Sequence, residues 1–193
     1  YPVLDKLLEK QEGNIVANVE CSRRLEKVAE KHGSSVKRVR VGHTYLFKAI
    51  RDEGAIFGVE KAGHFAVPEI FPLDDGVAAS AFFASMVSLF DDFEAEIEKM
   101  PKYFGDRVPF KCPDSEKFKV VEKLQEEISQ EYDRTNKIDG IRVDKDKGWV
   151  LIRASNTSPK IRITIEAETE EEFESLRDEF SEKVEKAINE VVK

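Results

Sequence analysis

GWVLIRASNTSPKIRITI, residues 148–165, reads as two β-strands joined by a turn with more chemistry than a turn needs. Residues 148–152 are an apolar run, and residues 161–165 place Ile at every second position, the period of a strand with one buried face. Between them stands RASNTSP, residues 153–159. A hairpin turn uses Gly, Asn, Asp or Pro for its dihedral angles; it requires neither an arginine nor a row of hydroxyls. Arg153 offers a planar fork of donors suited to carboxylate or phosphate oxygens. Ser155, Asn156, Thr157 and Ser158 add side-chain donors, and backbone N–H groups in a tight turn can form an anion-binding concavity. Pro159 stiffens the exit. On spacing alone, this cradle is not separable from an ordinary turn whose Ser and Asn satisfy the backbone.

Outward from the hairpin the pattern is mixed. Residues 138–143 and 148–152 flank the polar turn DKDK, residues 144–147, and residues 108–112 form a short strand. A helix starts at Asp114 with Phe118, Val121, Leu124 and Ile128 on one face. TEEE, residues 169–172, is a capping box for a last helix whose inner face carries Phe173, Leu176, Phe180, Val184, Ile188 and Val191. This is an α+β domain with an antiparallel sheet. Upstream, strands at 14–19, 36–41 and 55–59 alternate with helices at 22–32, 44–53 and 77–90, after a helical patch at 3–8. Gly33 and Gly54 act as helix stops, Pro68 and Pro72 mark a loop, and Asp74, Asp75 and Gly76 can cap the third of these helices. That alternation predicts an α/β domain with a mostly parallel sheet and flanking helices. Residues 98–106 read as a linker, giving domains at 1–103 and 104–193.

The 193 residues carry a net charge of −8, which argues against a general nucleic-acid binder. No apolar run approaches the length of a membrane span, so no membrane partner is expected. The two cysteines, Cys21 and Cys112, lack metal-type spacing; a disulfide is possible, but free thiols in a reducing cytoplasm are the plainer reading. The heavy use of Glu and Lys would suit a heat-adapted source. Residue 1 is Tyr, so the chain reads as a piece of a longer one.

Further motifs now bear on the loop. NVECSRR (residues 18–24), VGH (41–43), GVEKAGH (58–64), DDG (74–76) and RASNT followed by Pro159 occur in the order found in one family. With them, the chain resembles the C-terminal half of an α-D-phosphohexomutase, its third and fourth domains. The fourth domain of that family implies a TATA-box-binding-protein-like fold. The RASNT form of the loop is similar to the phosphomannomutase/phosphoglucomutase branch; phosphoglucosamine mutases favour a Gly-Thr-Glu-Pro version. The resemblance implies an intramolecular phosphotransferase that moves phosphate between O1 and O6 of a hexose. It works through a phosphoserine in an absent domain and a hexose 1,6-bisphosphate intermediate, which also serves as activator. Mg²⁺ would be bound by an absent domain too.

The resemblance further implies roles for single residues. Arg153, Ser155, Asn156 and Thr157 would hold the phosphate that is not reacting. Glu60 would accept bonds from ring hydroxyls, His64 would position the sugar or transfer a proton, and His43 would line the cleft. On the residues alone, His64 and His43 read more plainly as loop and helix-start histidines satisfied by their neighbours. Arg23, Arg24, Lys37, Arg38 and Arg40 form a basic neighbourhood, read mostly as a solvated face. Cys21, at a helix start where a thiol pKa can fall, has no base at convincing spacing and reads as packing. Two departures stand out: Ala62 where many relatives have Ser, and Glu20 where phosphomannomutases often have Lys. They leave open a non-catalytic phosphosugar-binding or regulatory paralogue. The partners expected are a phosphorylated hexose and the missing N-terminal domains. The serine and Asp-x-Asp-x-Asp motifs are not in the sequence, so the fragment alone is expected to be inactive.

Overall fold

The first helix, α1 (Pro2–Lys10), has Pro at its opening turn and buries Val3, Leu4, Leu7 and Leu8 at helical spacing. β1 (Ile15–Asn18) follows and is buried along its whole length, as a central parallel strand must be. α2 (Arg24–Lys31) returns the chain to β2 (Val36–Val39), and α3 (His43–Glu53) returns it to β3 (Phe57–Val59). Both neighbours pair with β1 in parallel, Ile15 standing opposite Val36 on one side and Phe57 on the other. β4 (Phe65–Ala66), which the sequence pattern does not show, doubles back antiparallel on β3. The sheet order is β2-β1-β3-β4. α4 (Gly76–Val87) and the short α5 (Phe93–Glu98) complete this part.

The computed structural model describes residues 1–71 and 73–192; Pro72, placed by the sequence in a loop, lies outside them. The chain divides into two compact units, one ending at Met100 and the next beginning at Pro101.

The second unit begins its first strand earlier than the sequence suggests. β5 (Phe104–Lys111) takes in the last third of the expected linker, and α5 its first residue. The reason is that β5 is an edge strand, in register with its neighbour from Phe104–Ala167 to Lys111–Lys160, and its exposed residues hide the apolar alternation. Pro109 is tolerated there because an edge strand need not donate on both sides. α6 (Lys117–Glu131) comes next, then β6 (Thr135–Asn136), β7 (Ile141–Asp144), β8 (Gly148–Ala154), β9 (Lys160–Ala167) and α7 (Glu170–Val191). The sheet is antiparallel throughout, in the order β5-β9-β8-β7-β6.

One face of this sheet, carrying Val150, Ile152, Ile161, Ile163 and Ile165, packs on Leu124 and Ile128 of α6 and Leu176, Phe180 and Val184 of α7. The capping expectation holds: Thr169 accepts from the Glu172 amide at 3.2 Å. The expected face of α6 holds at Val121, Leu124 and Ile128 but not at Phe118. Phe118 is 58 % exposed, and the buried stripe is Lys117, Val120, Val121, Leu124 and Ile128. Lys117 takes the buried place that the apolar count gives to Phe118, one position and about 100° of helix away.

Candidate functional site

β1 sits between β2 and β3, so the chain leaves β1 in one direction for β2 and then crosses to the other side for β3. In open α/β sheets, ligands bind outside the carboxyl ends of the strands at such a reversal. Asn18 ends β1 and Glu60 follows β3, and the two side chains meet there: Asn18 Nδ2 donates to Glu60 Oε1 at 3.2 Å. The amide of Gly42, capping α3, donates to the same oxygen at 2.8 Å. Asn18 and Glu60 are both buried, so the carboxylate is fixed by a side chain and a helix start rather than by water. His43 opens α3 immediately after Gly42 and is exposed, its ring 6.1 Å from that of Phe47.

Glu60 and His64 form the base of the β3–β4 turn, the Glu60 amide donating to the His64 carbonyl at 2.9 Å. Gly63, at φ 91°, makes that turn possible. His64 is exposed, and its Nδ1 contacts the Asp74 carboxylate. Asp74 and Asp75 therefore do different work. Asp75 caps α4 by accepting from Ala78 at 2.6 Å, while Asp74 orients the histidine, a role its place in the sequence does not suggest.

Asn18 also anchors the loop after β1. Its Oδ1 accepts from the Glu20 amide at 3.1 Å and the Cys21 thiol at 3.2 Å. Burial pushes the Cys21 thiol up to about 12, with the Arg38 guanidinium opposing. The helix start does not activate it, and it is packing, as expected. Arg38 departs from the solvated basic face. It donates to the carbonyls of Asn18, Cys21 and Ser22 at 2.8 to 3.0 Å and pairs with Glu26 at 2.6 Å, so it braces this loop.

In the second unit, Arg153 stands on the sheet face opposite the helical core and is only 3 % exposed. Asp139, whose side chain is 12 % exposed, accepts from its Nε at 3.2 Å. Gly140, at φ 81°, lets Asp139 reach that place, since a Cβ there would lie 2.1 Å from the Ile152 carbonyl oxygen and 2.9 Å from Arg153 Cβ. Arg162 is the cross-strand partner of Arg153. It makes no hydrogen bond or ion pair among the described residues. Like charges directly opposite on a sheet repel. Asp139 offsets that repulsion on the Arg153 side, and an anion bound between the two would offset it for Arg162.

The loop itself is closed by Ser155 N–H to Lys160 C=O at 2.9 Å and by Cys112 N–H to Pro159 C=O at 3.1 Å. Asn156 and Thr157 are exposed. Ser155 is fully buried, and its Oγ has no hydrogen-bond partner among the described residues. None of the residues from 155 to 159 has positive φ, so the loop's amides are not arranged by alternating left- and right-handed residues. Beneath the loop lies Lys117, 4 % exposed, which the apolar pattern of α6 leaves off the buried stripe. Its Nζ donates to Ser155 C=O at 2.6 Å, Ser158 C=O at 3.2 Å and Asp114 Oδ1 at 2.7 Å. Among the described residues, no group of three or more His, Cys, Asp or Glu is placed to hold a metal ion.

Both units are built as the C-terminal half of a phosphohexomutase is built. A phosphoglucomutase/phosphomannomutase family protein from Burkholderia thailandensis superposes with a TM-score of 0.84 at 23% identity, over 95% of this chain and 40% of that one. More narrowly, the chain belongs to the phosphoglucomutase/phosphomannomutase family, residues 3–103 matching its alpha/beta/alpha domain III and residues 108–183 its C-terminal domain. A probable phosphoglucosamine mutase of Methanopyrus kandleri is 36% identical over 96% of this chain and 41% of its own length. A phosphomannomutase/phosphoglucomutase of Pseudomonas syringae is 32% identical over 92% of this chain and 39% of its own. The chain thus spans about two fifths of the length of these curated relatives.

Proposed function

We propose that the chain is the sugar- and phosphate-binding part of a mutase that interconverts hexose 1-phosphate and hexose 6-phosphate. The observation that carries this reading is the pair Arg153 and Arg162, opposed on one sheet face beside a loop whose exposed Asn156 and Thr157 carry further donors. A phosphate dianion would take the guanidinium forks of the two arginines and the donors of Asn156 and Thr157; charge-assisted bonds contribute about 1.5–3 kcal/mol each. Ser155 stands in the same loop with its N–H and C=O committed to Lys160 and Lys117, and its Oγ is the group left to serve this reading. In the first unit, Glu60 has its Oε1 committed to Asn18 and Gly42, so ring hydroxyls would be accepted by Oε2. His64, held by Asp74, presents its other ring nitrogen for positioning or proton transfer, and His43 lies beside the Gly42 amide that fixes Glu60.

The reaction balances without further reagents. An enzyme phosphoserine passes its phosphoryl group to the free hydroxyl of a hexose monophosphate, giving the 1,6-bisphosphate and a free serine. After the sugar turns around, the serine takes the other phosphoryl group, leaving the isomeric monophosphate. Fixed anchors for the non-reacting phosphate and the ring hydroxyls suit a substrate that must be held in two orientations. The phosphoserine and Mg²⁺ belong, in this reading, to domains outside the chain, and the protein works in the cytoplasm where its substrates are.

The test is an assay of the intact parent chain on glucose, mannose and glucosamine 1-phosphates, primed with hexose 1,6-bisphosphate. Turnover of at least one, lost by at least a hundredfold in Arg153→Ala, is expected. An intact serine loop with no turnover of any of the three would sink the reading. The RASNT loop favours mannose and glucose, whereas the Methanopyrus relative is named for glucosamine, and the same assay ranks the sugars.

A further inference from the structure

We propose that Lys117 is the positioning residue of the anion loop, holding the Ser155–Asn156 peptide so that its N–H end faces the ligand and fixing the loop's exit at Ser158. The inference deepens the phosphate-site reading and rests on it. A lysine ammonium has three protons to donate. All three are used here: one goes to Asp114 at 2.7 Å, and the others to the carbonyls of Ser155 at 2.6 Å and Ser158 at 3.2 Å. Asp114 is an exposed partner, its side chain 70% accessible, whereas the two carbonyls meet the ammonium below the loop. Lys117 is therefore placed to serve the loop rather than to make a surface ion pair, which would have needed no burial.

The consequence follows from peptide geometry. A trans peptide is planar, with the C=O of one residue antiparallel to the N–H of the next. No peptide bond among the described residues is cis. Drawing the Ser155 carbonyl inward onto Nζ therefore turns the Asn156 N–H outward. The amides of Asn156, Thr157 and Ser158 donate to no acceptor among the described residues. The partner peptide after Ser158 ends in Pro159, which has no N–H to turn away, so that bond fixes the loop's exit instead. With no positive φ in the loop, a buried cation does what alternating backbone handedness does in other anion cradles: it sets which way the dipoles point. The same charge adds a favourable field at the anion's position.

The experiment titrates inorganic phosphate into the isotopically labelled 193-residue chain and follows the Asn156 and Thr157 amide resonances, with thermal unfolding recorded in parallel. Lys117→Met should remain folded, since it keeps the side chain's length and leaves the exposed Asp114 to water, the cost being the donor lost by two carbonyls. It should bind phosphate at least about tenfold more weakly, and the Asn156 amide should lose most of its phosphate-induced shift. Lys117→Arg, which keeps a buried donor cation, should return the affinity to within about threefold of the unaltered chain. A folded Lys117→Met chain with unaltered affinity overturns the proposal, as does weakening that Lys117→Arg fails to reverse. If Lys117→Met does not fold, Lys117→Gln is read instead: weaker binding supports the proposal and unaltered affinity overturns it. An unaltered chain whose Asn156 and Thr157 amides ignore phosphate would overturn the phosphate-site reading first, and this inference with it.

Discussion

Arg153 and Asp139 form an ion pair almost out of solvent, and the two ends of that pair are not equally visible in the sequence. The arginine announces itself because it sits in a turn that needs none. Asp139 lies 14 positions upstream, inside what reads as a strand start, and only the pairing of β7 with β8 brings it to Arg153. Lys117 is hidden for a related reason: its neighbour Phe118 is the more apolar residue and claims the buried stripe. Removing one member of a buried pair leaves the other charge uncompensated, which costs about 3–5 kcal/mol. Asp139→Ala should therefore lower unfolding free energy by roughly that amount in urea denaturation. Arg153→Met leaves Asp139, the more exposed partner at 12 %, within reach of water, so it should cost less stability while abolishing phosphate binding. Equal stability losses in the two variants, with phosphate binding intact in Arg153→Met, would contradict this division of roles. Cys21 supplies a second prediction at this scale. Because burial raises its thiol to about 12, the folded chain should resist alkylation by iodoacetamide at pH 8, and urea should release the thiol to a normal rate. Fast native labelling of Cys21, read by peptide mass, would contradict the packing.

At the scale of elements, the parallel units β1-α2-β2 and β2-α3-β3 are legible because helix and strand periods differ, and Gly33 and Gly54 punctuate them. β4, β6 and α5 are not. The first two are 2 residues long and α5 is 6, too short for a period to repeat. What the sequence could not show at all is how elements are tied. Asp5 of α1 holds the end of α2 through Lys31 at 2.8 Å and His32 at 2.6 Å. Burial alone would raise the Asp5 carboxyl, but the Lys31 and His32 hydrogen bonds outweigh it and the net direction is down. The folded pKa thus lies below the ordinary aspartate value near about 3.9, so the bond's stabilisation is full above that value. It fades as pH falls through the lowered folded value. Asp5→Asn should cost about 0.2–1 kcal/mol at neutral pH, typical of a partly exposed pair, and nothing once both states are protonated. Denaturation midpoints of the two chains should converge on acidification; a gap that widens instead would refute the assignment. The β7 entry is more demanding. Gly140→Ala meets both a left-handed φ and a 2.1 Å approach to the Ile152 carbonyl, so it should destabilise the second unit and misplace Asp139. Its chain should lose phosphate affinity without any change in a residue that could touch phosphate.

The molecule as a whole carries −8, yet its proposed ligand is an anion. Attraction must then come from placement rather than from net charge. The second unit gathers Arg153, Arg162 and Lys117 around one loop; Asp139 pairs with Arg153, so the cross-strand repulsion that a bound anion would relieve falls on Arg162. Binding and stability are thereby linked. A ligand that binds only the folded chain raises its stability by an amount set by the ratio of concentration to Kd, about 2.7 kcal/mol at a hundredfold excess. Phosphate should raise the thermal midpoint of the 193-residue chain progressively with concentration, and sodium chloride at equal ionic strength should not. Arg162→Ala should start slightly more stable than the unaltered chain, because the repulsion is gone, and should gain less from phosphate. Those opposite changes separate a binding arginine from a structural one: a structural arginine, once removed, would lower the starting midpoint and leave the phosphate increment unchanged.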